Sequence, residues 1–133
     1  MMADSTLDTR LEKAREACNR DPAFRKLGTC DARVGIKADD AAFIVSFEAF
    51  ECTGTRKIGL DELRDADFTI DMPRAAWRDF LAGRRAGSGT SLVGRDVDTA
   101  GGIVRGDNPL NALKFERYHL TLQHFFDKVA ALS

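Results

Sequence analysis

Phe43–Gly54 reads FIVSFEAFECTG, and whether this stretch is one strand or two decides the architecture. It holds three of the chain's nine phenylalanines. Drawn as one ribbon, Phe43, Val45 and Phe47 share a face, while Ile44 and Phe50 share the other with Ser46 and Glu48, because side chains alternate along a strand. Large apolar groups then lie on both sides. An ordinary two-sided core, a hairpin hidden in the stretch, or a greasy cavity would each account for that. A turn near Glu48–Ala49–Phe50 removes the conflict by splitting the ribbon into Ala42 to Phe47 and Glu51 to Ile58, with Phe50 at the hairpin end. No Asn-Gly or Asp-Gly pair marks the turn.

Upstream, DARVGIKADD (31–40) alternates cleanly. Ala32, Val34 and Ile36 face one way, and Arg33, Gly35 and Lys37 form a wet face, with a turn at Asp39-Asp40. Leu7, Leu11, Ala14 and Cys18 recur at helical spacing and predict an amphipathic helix from about Ser5 to Asn19. DPAF (21–24) predicts a second, short helix. Asp21 is its cap, Pro22 its first residue, Phe24 and Leu27 its inward side chains, and Gly28 its end.

Downstream, LDELRDA (60–66) reads as a helical turn opened by Asp61, and DADFTIDMP (65–73) as a fourth strand. In that strand Phe68, Ile70 and Met72 oppose Asp67, Thr69 and Asp71. Pro73 starts a helix on which Trp77, Phe80 and Leu81 share a face, Arg74 and Arg78 point away, and Gly83 is the stop. Residues 84–102, RRAGSGTSLVGRDVDTAGG, lack a period and read as a long loop with room for one short helix, the natural place for a mobile entrance. GGIVRGD (101–107) is a short fifth strand, and NPLNALKF (108–115) a helical turn with Asn108 before Pro109. A final helix carries the stripe Tyr118, Leu122, Phe125, Phe126, Val129 and Leu132. The order predicts an α+β fold, a five-stranded mainly antiparallel sheet with helices packed on one face. Its 133 residues suit a single domain with an N-terminal helical segment (1–28) and a glycine-rich loop (84–101).

Composition excludes several function classes. A formal charge of −1 gives no footprint for nucleic acid and no polybasic anchor. No apolar run is long enough for stable membrane insertion. The start, MMADSTLDTRLEKAREACNR, lacks the pattern of a signal peptide, so a cytoplasmic location is expected. Cys18, Cys30 and Cys52 are odd in number and lack C-x-x-C spacing, so they read as small buried hydrophobes rather than disulfides or metal ligands. His119 and His124, five residues apart on a helix, diverge too far to share a metal. His124 reads as solvated and His119 as bordering the aromatic stripe. No metal site and no cofactor is expected.

Catalytic patterns are also missing. There is no G-x-S-x-G, P-loop or strand-then-G-x-G-x-x-G, and Ser91 in GTSLV lacks the second glycine of a nucleophile elbow. Glu48 and Glu51 make an acid–base pair only if they face inward, and a hairpin turn exposes them. Arg105 in IVRGD either meets a ligand carboxylate or pairs at the sheet rim. No catalytic residue is assigned.

Three stretches resemble the sterol carrier protein 2 (SCP2) sterol-binding domain family. DADFTIDMPRAAWRDFLAG (65–83) is similar to the family's strand, helix and glycine; GGIVRGDNPLNALKF (101–115) to its final strand running into a leucine-rich turn; DARVGIKADDAAFIVSFEAFE (31–51) to its opening hairpin. LQHFFD (122–127) falls where members carry a C-terminal helix. The W-x-x-F-L helix looks like that of the small stand-alone bacterial members. Two features depart from the family: the glycine-rich stretch from Arg84 to Gly101 is long, and DKVAALS is no peroxisomal address.

The resemblance implies a non-enzymatic carrier whose apolar tunnel, between sheet and helices, holds a fatty acid, acyl-CoA or sterol-like molecule. Its ligand-binding residues would be Phe43, Val45, Phe47, Phe68, Ile70, Trp77, Phe80, Leu81, Ile103, Leu122, Phe125 and Phe126. Each aromatic brings on the order of 150–250 Å² of surface to bury, but a closed core draws on the same residues. Two alternatives stand beside it. One is an interaction module with a closed core, for which Leu120 on the polar side of the last helix suggests a homodimer or partner patch. The other is a small apolar-pocket hydrolase or isomerase, which needs a buried acid–base pair made from His119 with Glu48 or Asp67.

Overall fold

The structure, a computed structural model, describes residues 2–106 and 108–132. Helix α1 (Met2–Asn19) and the single turn α2 (Pro22–Arg25) lead into strands β1 (Ala32–Ala38), β2 (Ala41–Glu48) and β3 (Glu51–Ile58). A 3-10 turn (Leu60–Asp65) follows, then β4 (Phe68–Met72), α3 (Arg74–Ala86), α4 (Leu92–Asp98), β5 (Val104–Arg105) and α5 (Pro109–Ala131). The expected α+β architecture is present.

The hairpin is where the phenylalanine run predicts it. β2 and β3 pair antiparallel, with Glu48 opposite Glu51, and Ala49 turns the corner with φ 55°. That left-handed conformation is unusual for a residue with a Cβ. Local hydrogen bonds hold it without Asn-Gly chemistry: the Ala49 N–H donates to Asp31 Oδ1 at 3.1 Å, and its carbonyl accepts the Cys30 N–H at 2.8 Å. Thr53 is an extra residue in β3, since Ser46 faces Gly54 while Phe47 faces Cys52. This bulge exchanges the faces of β3, so Cys52 turns inward beside Phe47.

The sheet order is β3-β2-β1-β4-β5, and β1 pairs antiparallel with β2 but parallel with β4. The sheet is therefore mixed. A parallel partner needs a crossover, and the 3-10 turn provides it by passing over the face away from the helices. Two sequence expectations change as a result. Gly35, read as part of a wet face, is buried, because Leu63 and Ala66 of the crossover lie over it; an added Cβ there would meet Thr69 Oγ1 at 2.5 Å. Ile44 is likewise buried, in a small second core with Ala42, Ile58 and Leu63. Nor does Asp61 open the turn: Gly59 stands at its cap and its N–H donates to Glu62 Oε2.

The main core lies on the other face, under α1, α3 and α5. Leu11, Ala14 and Cys18 seat α1. α2 has its Asp21 cap and Pro22 start, but Leu27 lies past its last turn and is 38% exposed. α3 does not stop at Gly83 and runs to Ala86, ending on Gly87 with φ 76°. Gly83 serves packing instead: a Cβ there would lie 2.8 Å from the Gly89 Cα. The long loop is accordingly shorter, and it contains α4, opened by Ser91, whose Oγ accepts the Gly94 N–H. NPLNALKF and the aromatic stripe form one continuous helix, α5, capped by Asn108. Leu132 falls beyond its end and is 39% exposed. Asp107, at the end of the fifth-strand stretch, lies outside the described residues.

Candidate functional site: an apolar layer under three helices

The twelve expected lining residues all belong to one contiguous cluster, and none is more than 5% exposed. Phe43, Val45 and Phe47 come from β2, Phe68 and Ile70 from β4, and Ile103 from the approach to β5. Alternation along β2 and β4 aims them at the helices. Trp77, Phe80 and Leu81 descend from α3; Leu122, Phe125 and Phe126 descend from α5.

The aromatic rings form a connected chain. Phe24 lies 6.4 Å from Phe47, which meets Phe125 edge-on at 5.6 Å; Phe125 meets Phe126 edge-on at 5.4 Å. Phe126 then contacts both Trp77 (5.4 Å) and Phe80 (6.3 Å). These separations are those at which ring quadrupoles attract. Trp77 is tied down at its polar end, where Nε1 donates to the Lys37 carbonyl at 2.8 Å.

Phe24, Phe115 and Leu92 also belong to this layer, although the expected lining omits them. Phe115 meets Phe68 edge-on at 5.9 Å. Its signal is in the sequence, since 115, 118 and 122 continue the α5 stripe toward the N-terminus.

Cover over the layer is uneven. α4 contributes only Leu92 to the core. It is held by Gln123 Oε1, which accepts the Leu92 N–H at 2.7 Å, and by Asp96 Oδ1, which accepts the Ile103 N–H at 2.7 Å. Between α4 and α5 a cleft of about 540 Å³, lined by Val93, Val97, Val104, Phe115 and His119 among others, opens to solvent.

The polar candidates do not converge. Asp67 Oδ2 accepts from Lys114 Nζ at 3.1 Å and from the Arg33 N–H at 2.9 Å. His119 lines the α4–α5 cleft, and Glu48 is exposed at the hairpin end. Among the described residues no hydrogen bond links any two of the three. Glu51 pairs outward with Arg25 at 3.9 Å. Arg105 stays at the rim, 4.0 Å from Asp71, and donates to the Gly101 carbonyl. His124 is not simply solvated: Nε2 lies 3.0 Å from Asp21 Oδ2, and its ring packs 5.6 Å from Phe24. Cys18, Cys30 and Cys52 are free and buried. Burial pushes the thiols of Cys18 and Cys30 up to about 12 and raises that of Cys52 as well. Among the described residues no helix is long and apolar enough to cross a membrane.

No protein-family model and no curated protein sequence matches the chain. A crystal structure of sterol carrier protein 2 superposes on it with a TM-score of 0.70, covering 93% of this chain and 95% of that chain at 19% identity. Across nearly its whole length, this chain has the fold of sterol carrier protein 2.

Proposed function

We propose that the chain is a carrier domain that holds an apolar small molecule, a fatty acyl chain or a sterol-like ligand, between its sheet and its helices. The observation that carries this reading is the continuous apolar layer of twelve side chains, with its connected rings, set in a fold shared with a protein named as a sterol carrier. Burial of an acyl chain there contributes about 0.8 kcal/mol per methylene. The rings are in contact, so uptake requires a cover to move, and α4, which contributes a single core residue beside an open cleft, is the cover that moves. The test is native mass spectrometry of freshly purified protein, followed by solvent extraction. A reproducible adduct that proves to be a fatty acid, acyl-CoA or sterol-like molecule supports the reading. A bare mass, with no uptake of a fluorescent fatty acid, overturns it.

A second reading is favoured by one feature. Val97 is 76% exposed and Leu120 61% exposed, with Leu113 also open to solvent. Apolar side chains spread over α4 and α5 in this way suit contact with a second copy or another protein, with the layer beneath serving as closed core. A discrete dimer on sizing, from protein with no bound small molecule, would favour it.

A further inference from the structure

Among the described residues, arginines gather at a groove between α1 and α3. It is lined by Arg10, Arg78, Leu81, Ala82, Arg85 and Ala86, with a volume of about 560 Å³. Three guanidiniums stand over an apolar floor, and no carboxylate is among the described lining residues. Arg78 and Arg85 lie seven residues apart on α3, so they point from one face of the helix, about 10.5 Å apart along its axis.

Elsewhere on α3 the arginines have anionic partners. Arg74 pairs with Asp40 at 2.8 Å, and Arg84 with Asp127 at 2.8 Å. Among the described residues, Arg78 and Arg85 have no carboxylate within ion-pair distance. Arg10 is fixed in place from the other side, since its Nε and Nη2 donate to the Val129 carbonyl at 3.3 and 3.0 Å. Burial, and after it the charge of Arg85, hold the Arg10 guanidinium below its usual value. The two cations therefore repel across the groove, and an anion between them removes that repulsion. The floor residue Leu81 is also a member of the apolar layer, so the groove and the layer meet at one side chain.

We propose that this groove seats the anionic head of the bound amphiphile, a carboxylate or phosphate group held by Arg85 and Arg78 beside Arg10, while its chain passes over Leu81 into the apolar layer. The proposal rests on the carrier reading and adds the charge of the ligand to it. Planar guanidiniums suit both oxyanions, through paired N–H···O bonds. A neutral sterol has no use for the groove, so the preferred cargo is a fatty acid or a phosphate-bearing acyl compound.

The test measures displacement of a fluorescent fatty acid by oleate, oleyl phosphate and oleyl alcohol, with inorganic phosphate as the chainless control. Arg78→Gln/Arg85→Gln is compared with the unaltered protein, and thermal melting checks that both are folded. Arg10 is left alone because it also ties α1 to α5. The unaltered protein is expected to bind oleate and oleyl phosphate about tenfold or more tightly than the alcohol, and the double variant to lose that preference while binding the alcohol as before. Equal binding of acid and alcohol, or a double variant that keeps its preference for the acid, overturns the head-group seat and leaves the carrier reading standing. Displacement by inorganic phosphate as strong as that by oleyl phosphate also overturns it, because the groove would then be a site for free anions. No binding of any oleyl compound to the unaltered protein overturns the head-group seat together with the acyl form of the carrier reading.

Discussion

The side-chain amide of Asn19 pairs with both main-chain groups of Cys52: Nδ2 donates to the carbonyl at 2.9 Å, and Oδ1 accepts the N–H at 2.9 Å. β3 is an edge strand, so the last residue of α1 occupies the place of a further strand there and blocks the edge. Asn19→Ala leaves one donor and one acceptor of a half-covered backbone without their partner. The expected loss is about 1–3 kcal/mol, read as a lower urea midpoint with an unchanged slope. An unchanged midpoint would show that water replaces the amide at no cost.

Asp21 links the start of α2 to the end of α5. Its carboxylate accepts from Lys128 Nζ at 2.9 Å and from the Ala23 N–H at 2.9 Å, with His124 Nε2 at 3.0 Å. The Lys128 hydrogen bond first, and the Ala23 bond after it, draw its pKa down from 3.8 to about 2. A folded-state pKa below the unfolded one means stabilisation that is fully present above 3.8 and is lost as pH falls toward 2. Unfolding free energies of the native chain and Asp21→Asn should therefore differ by a constant amount at neutral pH and converge in acid. Parallel curves down to pH 2 would refute the linkage.

The sequence carries the hairpin, because a single ribbon from Phe43 to Gly54 conflicts with one-sided burial. It also carries the α5 stripe and the Trp77–Phe80–Leu81 face, because those periods extend over several turns. Other features depend on what lies across the molecule. The parallel pairing of β1 with β4 follows from the path of the chain after Ile58, which periodicity does not record. His124 looks solvent-facing from its own helix, yet its partner Asp21 is 103 residues away in the chain. The arginine groove exists only once the fold brings Arg10 of α1 opposite the Arg78–Arg85 face of α3. Gly83 resembles a helix stop in sequence, since a glycine needed for close packing and one needed for a left-handed turn are written alike.

That close packing reverses the usual sign of a glycine substitution. In a helix interior, Gly→Ala ordinarily gains about 1 kcal/mol. At Gly83, inside α3, an added Cβ would lie 2.8 Å from the Gly89 Cα; at Gly89, in the loop beyond the helix, one would lie 2.6 Å from both the Cα and the carbonyl carbon of Gly83, and main-chain atoms cannot swing aside as a flexible side chain can. Gly83→Ala and Gly89→Ala should each destabilise by about 1–3 kcal/mol through overpacking. Gly54→Ala is the control, since nothing lies within 4 Å of the added carbon there. If thermal melting ranks Gly54→Ala with the other two, backbone contact is not the cause.

Arg95 presents two opposed effects whose magnitudes can be compared. Its Cζ lies 6.0 Å from the Phe80 ring centroid, while its Nε is buried without an acceptor. A cation–π contact at a partly exposed site contributes about 0.5–1 kcal/mol. An orphaned buried N–H costs about 1–3 kcal/mol. The cost outweighs the gain, so Arg95→Met, which keeps a long chain over Phe80 and removes the orphan donor, should stabilise the fold by about 1 kcal/mol. Urea titration of the two proteins at neutral pH measures the difference directly. A loss of stability in the methionine variant would mean that the charge over the ring, rather than the stranded N–H, dominates where α4 meets the apolar layer.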